Sequence, residues 1–275
     1  MMARLADIRR GIEELGLAGL PVCVHSSMRS FGHVEGGADA IIDAFLAAGC
    51  TLVVPTFRYA NEIEPPEDAP VYARNGWSGA RRARLARSVP EAYDPSSNTL
   101  TDAEMGALPA AVLRRPGRAR GLHPIDSFSA LGPLAGELIA TQTPLNVYGP
   151  LRAIGARGGH VVLMGVGLKR MTLLHAAEQD SGRELFHRWA LDREGKPVEV
   201  LIGGCSEGFH HLEPAIGHLA RETRVGQSHW RAFPVNATLA AAAAAIRANP
   251  QITHCGNPDC GTCPDAVLGG PLIAS

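Results

Sequence analysis

The sequence has no excess of charge of either sign, because 26 lysines and arginines stand against 27 aspartates and glutamates in 275 residues. Proteins that bind nucleic acid or another polyanion without specificity carry a strong basic excess, so the balance argues against that class. The chain also lacks an uncharged apolar run long enough to span a bilayer. Its charged, amphipathic start lacks the apolar stretch of a signal peptide. These absences predict a cytoplasmic protein that binds neither nucleic acid nor membrane.

Internal repeats and linkers are missing as well, and 45% of the residues are hydrophobic, which is enough for a sizeable core. We therefore predict one domain over residues 1–275. Neither a dinucleotide-binding fingerprint nor a P-loop occurs. These absences leave the function to be argued from less common motifs.

Short apolar runs alternate with helical patterns along much of the chain. PVCV before His25 and TLVVPTF at 51–57 read as strands on either side of a helix that Gly49 ends, and HVVLMGVG reads as a third strand. This order predicts an α/β domain in which helices flank a mixed central sheet. The polar residues 58–105 predict a long irregular loop, which is either solvated or faces the substrate. Residues 129–140 predict a short helix, 185–202 a hairpin, and Asn236 the cap of a late helix.

A polar loop follows the first strand, with Ser26, Ser27 and Arg29 ahead of a helix that Gly36-Gly37 opens. Backbone N–H groups at a helix start and the helix dipole both favour an anion. The loop therefore predicts a phosphate site, and the alternative is an ordinary polar connection.

His175 and Glu178 are three residues apart on a predicted helix whose N-cap would be Thr172, so they share one face. A carboxylate beside an imidazole fixes its tautomer and raises its basicity. The pair predicts a general base just after the carboxyl end of a strand, where α/β sheets place their sites. A surface His–Glu pair is the alternative.

The segment RGLHPIDSFSALG brings His123, Asp126 and Ser127 close together in the chain. A hydrolase triad uses these residue types, but the chain has no G-x-S-x-G elbow, which argues against one. A loop histidine bonded to the backbone is the other interpretation.

Six cysteines are present, and Cys23 and Cys50 lie in apolar runs typical of buried thiols. His254, Cys255, Cys260 and Cys263 fall within ten residues, and C-x₂-C is one half of many structural zinc sites. The tail 250–275 therefore predicts a zinc site, with Cys205 as a possible ligand from the preceding chain. Reduced thiols near a frayed terminus are the alternative.

Taken in order, these segments resemble the aminoglycoside 3-N-acetyltransferase family over most of residues 20–180. The similarity rests on VHSSMRSFGHVEGGADAIIDAF, HPIDSFSALGPLAGEL and the pair GVG…TLLHAAE. The family implies acetyl transfer from acetyl-CoA to a primary amine, most often the 3-amine of the 2-deoxystreptamine ring of an aminoglycoside, and hence antibiotic resistance.

The resemblance also implies roles for particular residues. His175 matches the catalytic histidine and Glu178 its partner. The implied CoA-binding residues are Ser26, Ser27, Arg29, Ser30, Gly165, Val166 and Gly167. The implied substrate-binding residues are His123, Ser127, Thr172, Asp180 and Glu64. Arg114 to Arg120 are a further possible contact of the CoA 3′-phosphate. The apramycin- and gentamicin-acetylating branch resembles the tail at His254, Cys260 and Cys263, with Cys205 a natural fourth zinc ligand and Cys255 its alternate.

One stretch departs from the family pattern, since Lys169 and Arg170 stand where the family carries polar and acidic residues. Two cations there are expected to repel a polycationic sugar. Acidic residues elsewhere compensate if they face the cleft: Glu62, Glu64, Glu67, Asp68, Asp94, Asp102 and Asp180. Acylation of another small amine, or binding of CoA or zinc without catalysis, remain alternatives. We expect a monomer or a homodimer.

Overall fold

The computed structural model of the chain describes residues 2–77, 79–87, 89, 91–100 and 105–273. The strands are Met2–Ala3 (β1), Pro21–Ser26 (β2), His33–Val34 (β3), Thr51–Pro55 (β4), Glu62–Ile63 (β5), Tyr72–Ala73 (β6), Ala119–Arg120 (β7), Phe128–Leu131 (β8), His160–Met164 (β9), Phe186–Leu191 (β10), Pro197–Ile202 (β11), Arg221–Val225 (β12), Ser228–Pro234 (β13) and Leu272–Ile273 (β14). The α-helices are Leu5–Glu14 (α1), Gly37–Ala47 (α2), Gly79–Leu85 (α3), Ala107–Arg114 (α4), Ala135–Ile139 (α5), Gly149–Ala156 (α6), Leu173–Asp180 (α7), Glu213–Ile216 (α8), Val235–Ala248 (α9) and Cys263–Val267 (α10).

A mixed sheet of seven strands forms the centre, in the order β12-β13-β9-β2-β4-β8-β7. Its three middle strands, β9, β2 and β4, run parallel, and the strands outside them run antiparallel to their neighbours. The expected α/β domain with a mixed central sheet is therefore confirmed.

The middle strands are predominantly apolar because helices cover both faces of the sheet. Along β4, Leu52 and Val54 face the cluster built with α1, α2 and α4, whereas Val53 faces the cluster built with α5, α6, α7 and α9. Side chains alternate between the faces of a strand, so consecutive apolar residues can serve both cores.

The parallel arrangement also places the functional loops. The carboxyl ends of β2, β4 and β9 lie at one edge of the sheet, and a 3₁₀ turn follows each of them, at Met28–Phe31, Tyr59–Asn61 and Leu168–Arg170. Helix α7 starts shortly after the turn at Leu168–Arg170. Loops from distant parts of the sequence therefore meet at this edge.

The region expected to be a long irregular loop contains regular structure, with α3 and two short strands within 58–105. Strand β5 pairs with β10 of the hairpin formed by β10 and β11, and β6 pairs with β14. The hairpin within 185–202 is confirmed, whereas the solvated-loop interpretation is wrong for these parts. Short strands at partner edges carry too little periodicity to be recognised in the sequence.

Two further local expectations are wrong. Residues 129–140 are not one helix, because Phe128–Leu131 form strand β8 and helix α5 begins only at Ala135. Helix α9 begins at Val235, and Asn236 does not cap it but donates Nδ2–H to the carbonyl of Gly155 in α6. Among the described residues no helix is both long and apolar enough to cross a bilayer.

Candidate active site

A cavity of about 1000 Å³ opens at the edge of the sheet where β2, β4 and β9 end. The polar residues that line it come from several segments, among them the end of β2 and the loop after it, the residues around α7, the loop before β8, and the stretch 203–207 after the hairpin. They include Ser26, Ser27, Arg29, Asp126, Lys169, Arg170, Thr172, His175 and Glu207. Most of the sequence motifs that suggested chemistry therefore meet in one cavity.

His175 lies at the wall of this cavity and is 9% exposed. Its Nδ1 lies 2.9 Å from Oε2 of Glu178, and the other oxygen of that carboxylate accepts a hydrogen bond from Nη1 of Arg183 at 2.6 Å. Arg183 is itself held by Oγ1 of Thr253 at 2.7 Å. A carboxylate bonded to Nδ1 fixes the tautomer that carries hydrogen there, which leaves the lone pair on Nε2. In the part of the chain described, Nε2 has no hydrogen-bond partner.

Aromatic rings hold the imidazole from two sides. The ring of Tyr148 stacks with that of His175 at a centroid distance of 6.2 Å, and the edge of Phe209 approaches to 4.7 Å. Gly203 lies so close that a β-carbon there would be 2.5 Å from Cγ of His175. The ring therefore has little freedom to turn, and only glycine fits at position 203 without displacing it.

The loop after β2 reaches the cavity with Ser26, Ser27 and Arg29. Ser30 does not line the cavity. It fixes the loop instead, because its hydroxyl donates to the carbonyl of Ser27 at 2.6 Å and lies 2.7 Å from Oγ of Ser228. Gly165, with φ of +65°, leaves the space that Ser30 occupies.

The glycine segment after β9 contributes only in part. Gly165 and Val166 line the cavity, whereas Gly167 lies at the start of the following 3₁₀ turn and does not.

Arg29 is exposed and makes no ion pair with any residue that the structure describes, so its guanidinium is available to an anion.

The segment around His123 differs from its expected role. His123 is fully buried, with Nε2 2.9 Å from the carbonyl oxygen of Leu201 and Nδ1 accepting the backbone N–H of Asp126 at 2.8 Å. Burial lowers the pKa of His123 to about 4, so the ring is neutral. Ser127 is equally buried and donates to the carbonyl of Thr56 at 2.8 Å. Asp126, which lies between these two residues in the chain, lines the cavity. His123 and Ser127 lie behind the cavity wall and do not line it.

Three acidic residues lie elsewhere. Asp180 pairs with Arg152 at 2.8 Å on the surface, Glu64 lines a separate cleft of about 520 Å³, and Asp94 bonds to Ser96. Asp102 lies outside the described residues. These side chains therefore do not supply the negative charge expected for this cavity, although Thr172 does line it as predicted.

Lys169 and Arg170 both line the cavity, as their position beside the glycine segment suggested. The ammonium of Lys169 is 2.9 Å from a carboxylate oxygen of Glu207, another residue of the cavity wall. Part of the cationic charge is therefore balanced locally.

The arginines after α4 are engaged elsewhere, because Arg115 pairs with Asp39 and Arg120 donates to the carbonyl of Thr56. The expected contact of this segment with a phosphate is not supported.

Four cysteines form a cluster in which the sulfur atoms all lie within 4.8 Å of one another: Cys205, Cys255, Cys260 and Cys263. His254 is not part of it; its Nδ1 accepts the N–H of Gly256. Cys255 and not the expected His254 therefore belongs to the cluster, since the turn after His254 brings the next side chain to it. Four thiols at this spacing fit zinc, because thiolates bind it tetrahedrally at about 2.3 Å, which sets them about 3.8 Å apart. Cys205 also lines the cavity.

Sequence reasoning missed Tyr148, Phe209, Gly203 and Arg183 around the base. Their contacts join segments far apart in the chain, and nothing in their local pattern signals them. Asp126 was noticed only as a neighbour of His123.

The family model for aminoglycoside 3-N-acetyltransferase matches residues 23–247 of the chain. Among curated relatives, aminoglycoside N(3)-acetyltransferase IX of Micromonospora chalcea is 40% identical over 178 residues, which cover 62% of this chain and 60% of that protein. The chain spans about three fifths of the length of the first curated relatives it matches.

Two solved structures share the fold. The aminoglycoside acetyltransferase AAC(3)-IVa, solved as a histidine-to-alanine mutant in complex with a gentamicin, superposes with a TM-score of 0.75 at 25% identity and covers 98% of each chain. AAC-IIIb, solved as a binary complex with CoASH, superposes with a TM-score of 0.69 at 22% identity, covering 90% of this chain and 97% of that one.

Proposed function

The chain belongs to the aminoglycoside 3-N-acetyltransferase family, and from this premise we propose that it transfers an acetyl group from acetyl-CoA to an aminoglycoside. The acceptor is the 3-amino group of the 2-deoxystreptamine ring, and the modification would confer resistance to the antibiotic. The observation that carries the proposal is the buried His175–Glu178 pair, whose imidazole lines the same cavity as the loop of Ser27 and Arg29.

His175 acts as the general base in this proposal. The neutral amine attacks the carbonyl carbon of the acetyl thioester, a C–N bond forms, and Nε2 of His175 accepts the proton that the nitrogen loses. Collapse of the tetrahedral intermediate then breaks the C–S bond, and the leaving sulfur takes the proton. Glu178 stabilises the imidazolium between these steps, and Arg183 keeps the carboxylate in place.

The negative oxygen of the tetrahedral intermediate needs a hydrogen-bond donor. Thr172 suits this role because it lines the cavity at the N-cap of α7 and its hydroxyl makes no capping bond. The hydroxyls of Ser26 and Ser27 in the same cavity are the other candidates.

The phosphates of acetyl-CoA are assigned to the loop after β2. Ser26, Ser27 and Arg29 line the cavity there, and Arg170 adds a second exposed cation to the cavity wall. Gly165 and Val166 form the floor for the thioester arm. A protein of the same fold has been solved with CoASH, a likeness of fold alone.

Zinc is proposed for the four-cysteine cluster. The ion would link the C-terminal segment to Cys205 and so fix the stretch 203–207 that lines the cavity. Its role is structural, because four thiolate ligands leave no open position. All six cysteines are free thiols, which suits the reducing cytoplasm, where we place the reaction.

Metal content of the purified protein tests this assignment. We expect close to one zinc per chain in the wild type and in His254→Ala, and a marked loss in Cys255→Ser, because the sulfur of Cys255 lies within 4.8 Å of the other three sulfurs and the imidazole of His254 bonds to Gly256. Retention of zinc by Cys255→Ser together with its loss in His254→Ala would restore the histidine as ligand.

Another small amine or another acyl donor remains the second candidate, and Arg170 favours it. This cation lines the cavity without an ion-pair partner among the described residues, so it disfavours a polycationic acceptor.

Acetyl-CoA-dependent release of free thiol, measured over a panel of aminoglycosides and simple amines, separates these candidates. We expect turnover with 2-deoxystreptamine aminoglycosides, and a fall in kcat of about 10²–10⁴-fold in His175→Ala, with CoA affinity retained. Turnover that is confined to other amines would favour the second candidate, and full activity in His175→Ala would remove the histidine from the mechanism.

A further inference from the structure

Asp126 is a buried carboxylic acid in the wall of the cavity, and the mechanism above does not use it. It is 4% exposed, and its Oδ1 is buried without a hydrogen-bond partner. No cation within the described ranges lies at ion-pair distance from it. A buried polar atom that lacks a partner is uncommon and costs free energy, so the site is incomplete without a donor.

The framework around Asp126 holds it in position. Its backbone N–H donates to Nδ1 of the buried His123 at 2.8 Å, and its carbonyl accepts Nε2–H of Gln142 at 2.9 Å. The neighbouring Ser127 is fixed to Thr56. The buried residues on both sides thus serve to present one carboxyl group at the cavity wall.

The electrostatic surroundings favour a cationic ligand at this point. Burial raises the pKa of Asp126 to about 7 and Glu62 adds to the rise, whereas Arg81 and the protonated form of His175 lower it. Arg81 donates two hydrogen bonds to the carboxylate of Glu62. Lys169 of the cavity wall is paired with Glu207. A ligand ammonium would therefore lie beside a carboxyl group that has no ion-pair partner among the described residues, and it would favour the ionised form of that group.

We propose that Asp126 is a specificity-determining residue that binds a second ammonium group of the acceptor, beside the amine that His175 deprotonates. The substrate class this selects is a compound with two amines on one compact scaffold, rather than a monoamine. The inference rests on the proposed function for the identity of the reaction, but the subsite itself rests on the contacts of Asp126.

Direct binding of 2-deoxystreptamine, measured by calorimetry without acetyl-CoA, tests the subsite apart from catalysis. We expect Asp126→Asn to weaken binding by about 10–100-fold, the range for loss of one charge-assisted hydrogen bond. Asp43→Asn, which removes an exposed carboxylate of α2 that pairs with Arg115, is the charge-matched control and should bind as the wild type does. Equal affinity of wild type and Asp126→Asn, or no binding to either, overturns the proposal.

A comparison of ligands needs no variant and so remains valid if Asp126→Asn fails to fold. The wild type should bind cis-1,3-diaminocyclohexane at least about 10-fold more tightly than cis-3-aminocyclohexanol. Equal affinity for the two compounds contradicts the subsite. CoA affinity of Asp126→Asn should match that of the wild type.

Turnover then separates the two proposals. If the wild type binds 2-deoxystreptamine through Asp126 but acetylates no aminoglycoside, the proposed function fails and the subsite stands. If it acetylates aminoglycosides and Asp126→Asn shows the same KM, the subsite fails and the function stands.

Discussion

Glu62 and Asp126 are two buried carboxylates whose surroundings differ. Glu62 is 0% exposed and accepts hydrogen bonds from Arg81 at 2.7 Å and from Arg84 at 2.6 Å, with Nε of the buried Arg188 at 3.5 Å. Asp126 is 4% exposed and has an unpartnered Oδ1. Burial alone therefore does not separate a structural acid from a functional one; the partners that the chain supplies do.

The two carboxylates have different partners because they lie in different parts of the fold. Glu62 lies in β5, where the long polar segment joins the hairpin, and its arginines tie that segment down. Asp126 lies where the protein opens to the cavity. A buried charge that is saturated by the protein stabilises packing, whereas one left open can bind a ligand.

The largest expected effect is on stability, from Glu62→Gln. It leaves the buried Arg188 without its carboxylate, and breaking a buried ion pair costs about 3–5 kcal/mol. Chemical denaturation should show this loss, whereas Asp126→Asn should stay within about 1 kcal/mol of the wild type. Equal losses for the two variants would end the distinction between the two acids.

Gly203→Ala should act on catalysis instead. The new methyl group would meet the ring of His175, and a displacement of the base by about 1 Å lowers kcat by about 10²-fold. The KM for acetyl-CoA should change little. Gly136→Ala is the matched control, because a β-carbon there meets no atom within 4 Å. Wild-type kcat in Gly203→Ala would show that the close contact does not position the ring.

Lys169→Ala should have the smallest effect. It frees Glu207 from an exposed ion pair worth about 0.2–1 kcal/mol and makes the cavity more negative. The KM for aminoglycosides should fall by about 2–5-fold, while Lys196→Ala in the hairpin turn should leave it unchanged. A rise in KM would mean that Lys169 contacts the substrate or acetyl-CoA.

The sequence predicted the three parallel strands and α7 well. Continuous apolar runs and helical spacing are local features of the chain, so they can be read without knowledge of distant contacts. It also brought His175 and Glu178 onto one face, since that depends only on helical spacing. The sequence favoured His254 as a ligand and kept Cys255 as the alternate to Cys205, whereas the cluster contains Cys255 and not His254, because its membership depends on the turn that follows them.

The role of the His123 segment was beyond sequence reasoning for a different reason. Its three polar residues lie within five positions of the chain, yet two face the buried framework and one faces the cavity. That division is set by Leu201 of β11 and by Thr56, the residue after β4, which both approach from distant parts of the chain. The polar segment 58–105 is a similar case. Its charges suggested a solvated loop, but its Glu62 is buried beside Arg188 of the hairpin, a contact that the local sequence does not reveal.

The most direct test of the central claim is the position of the acetyl group on the product. An aminoglycoside with a 2-deoxystreptamine ring is incubated with the protein and acetyl-CoA, and the product is analysed by mass spectrometry and NMR. We predict a single monoacetylated product that carries the acetyl group on the 3-amine, formed by the wild type and about 10²–10⁴-fold more slowly by His175→Ala. Acetylation at another amine, or no product with any such aminoglycoside, would contradict it.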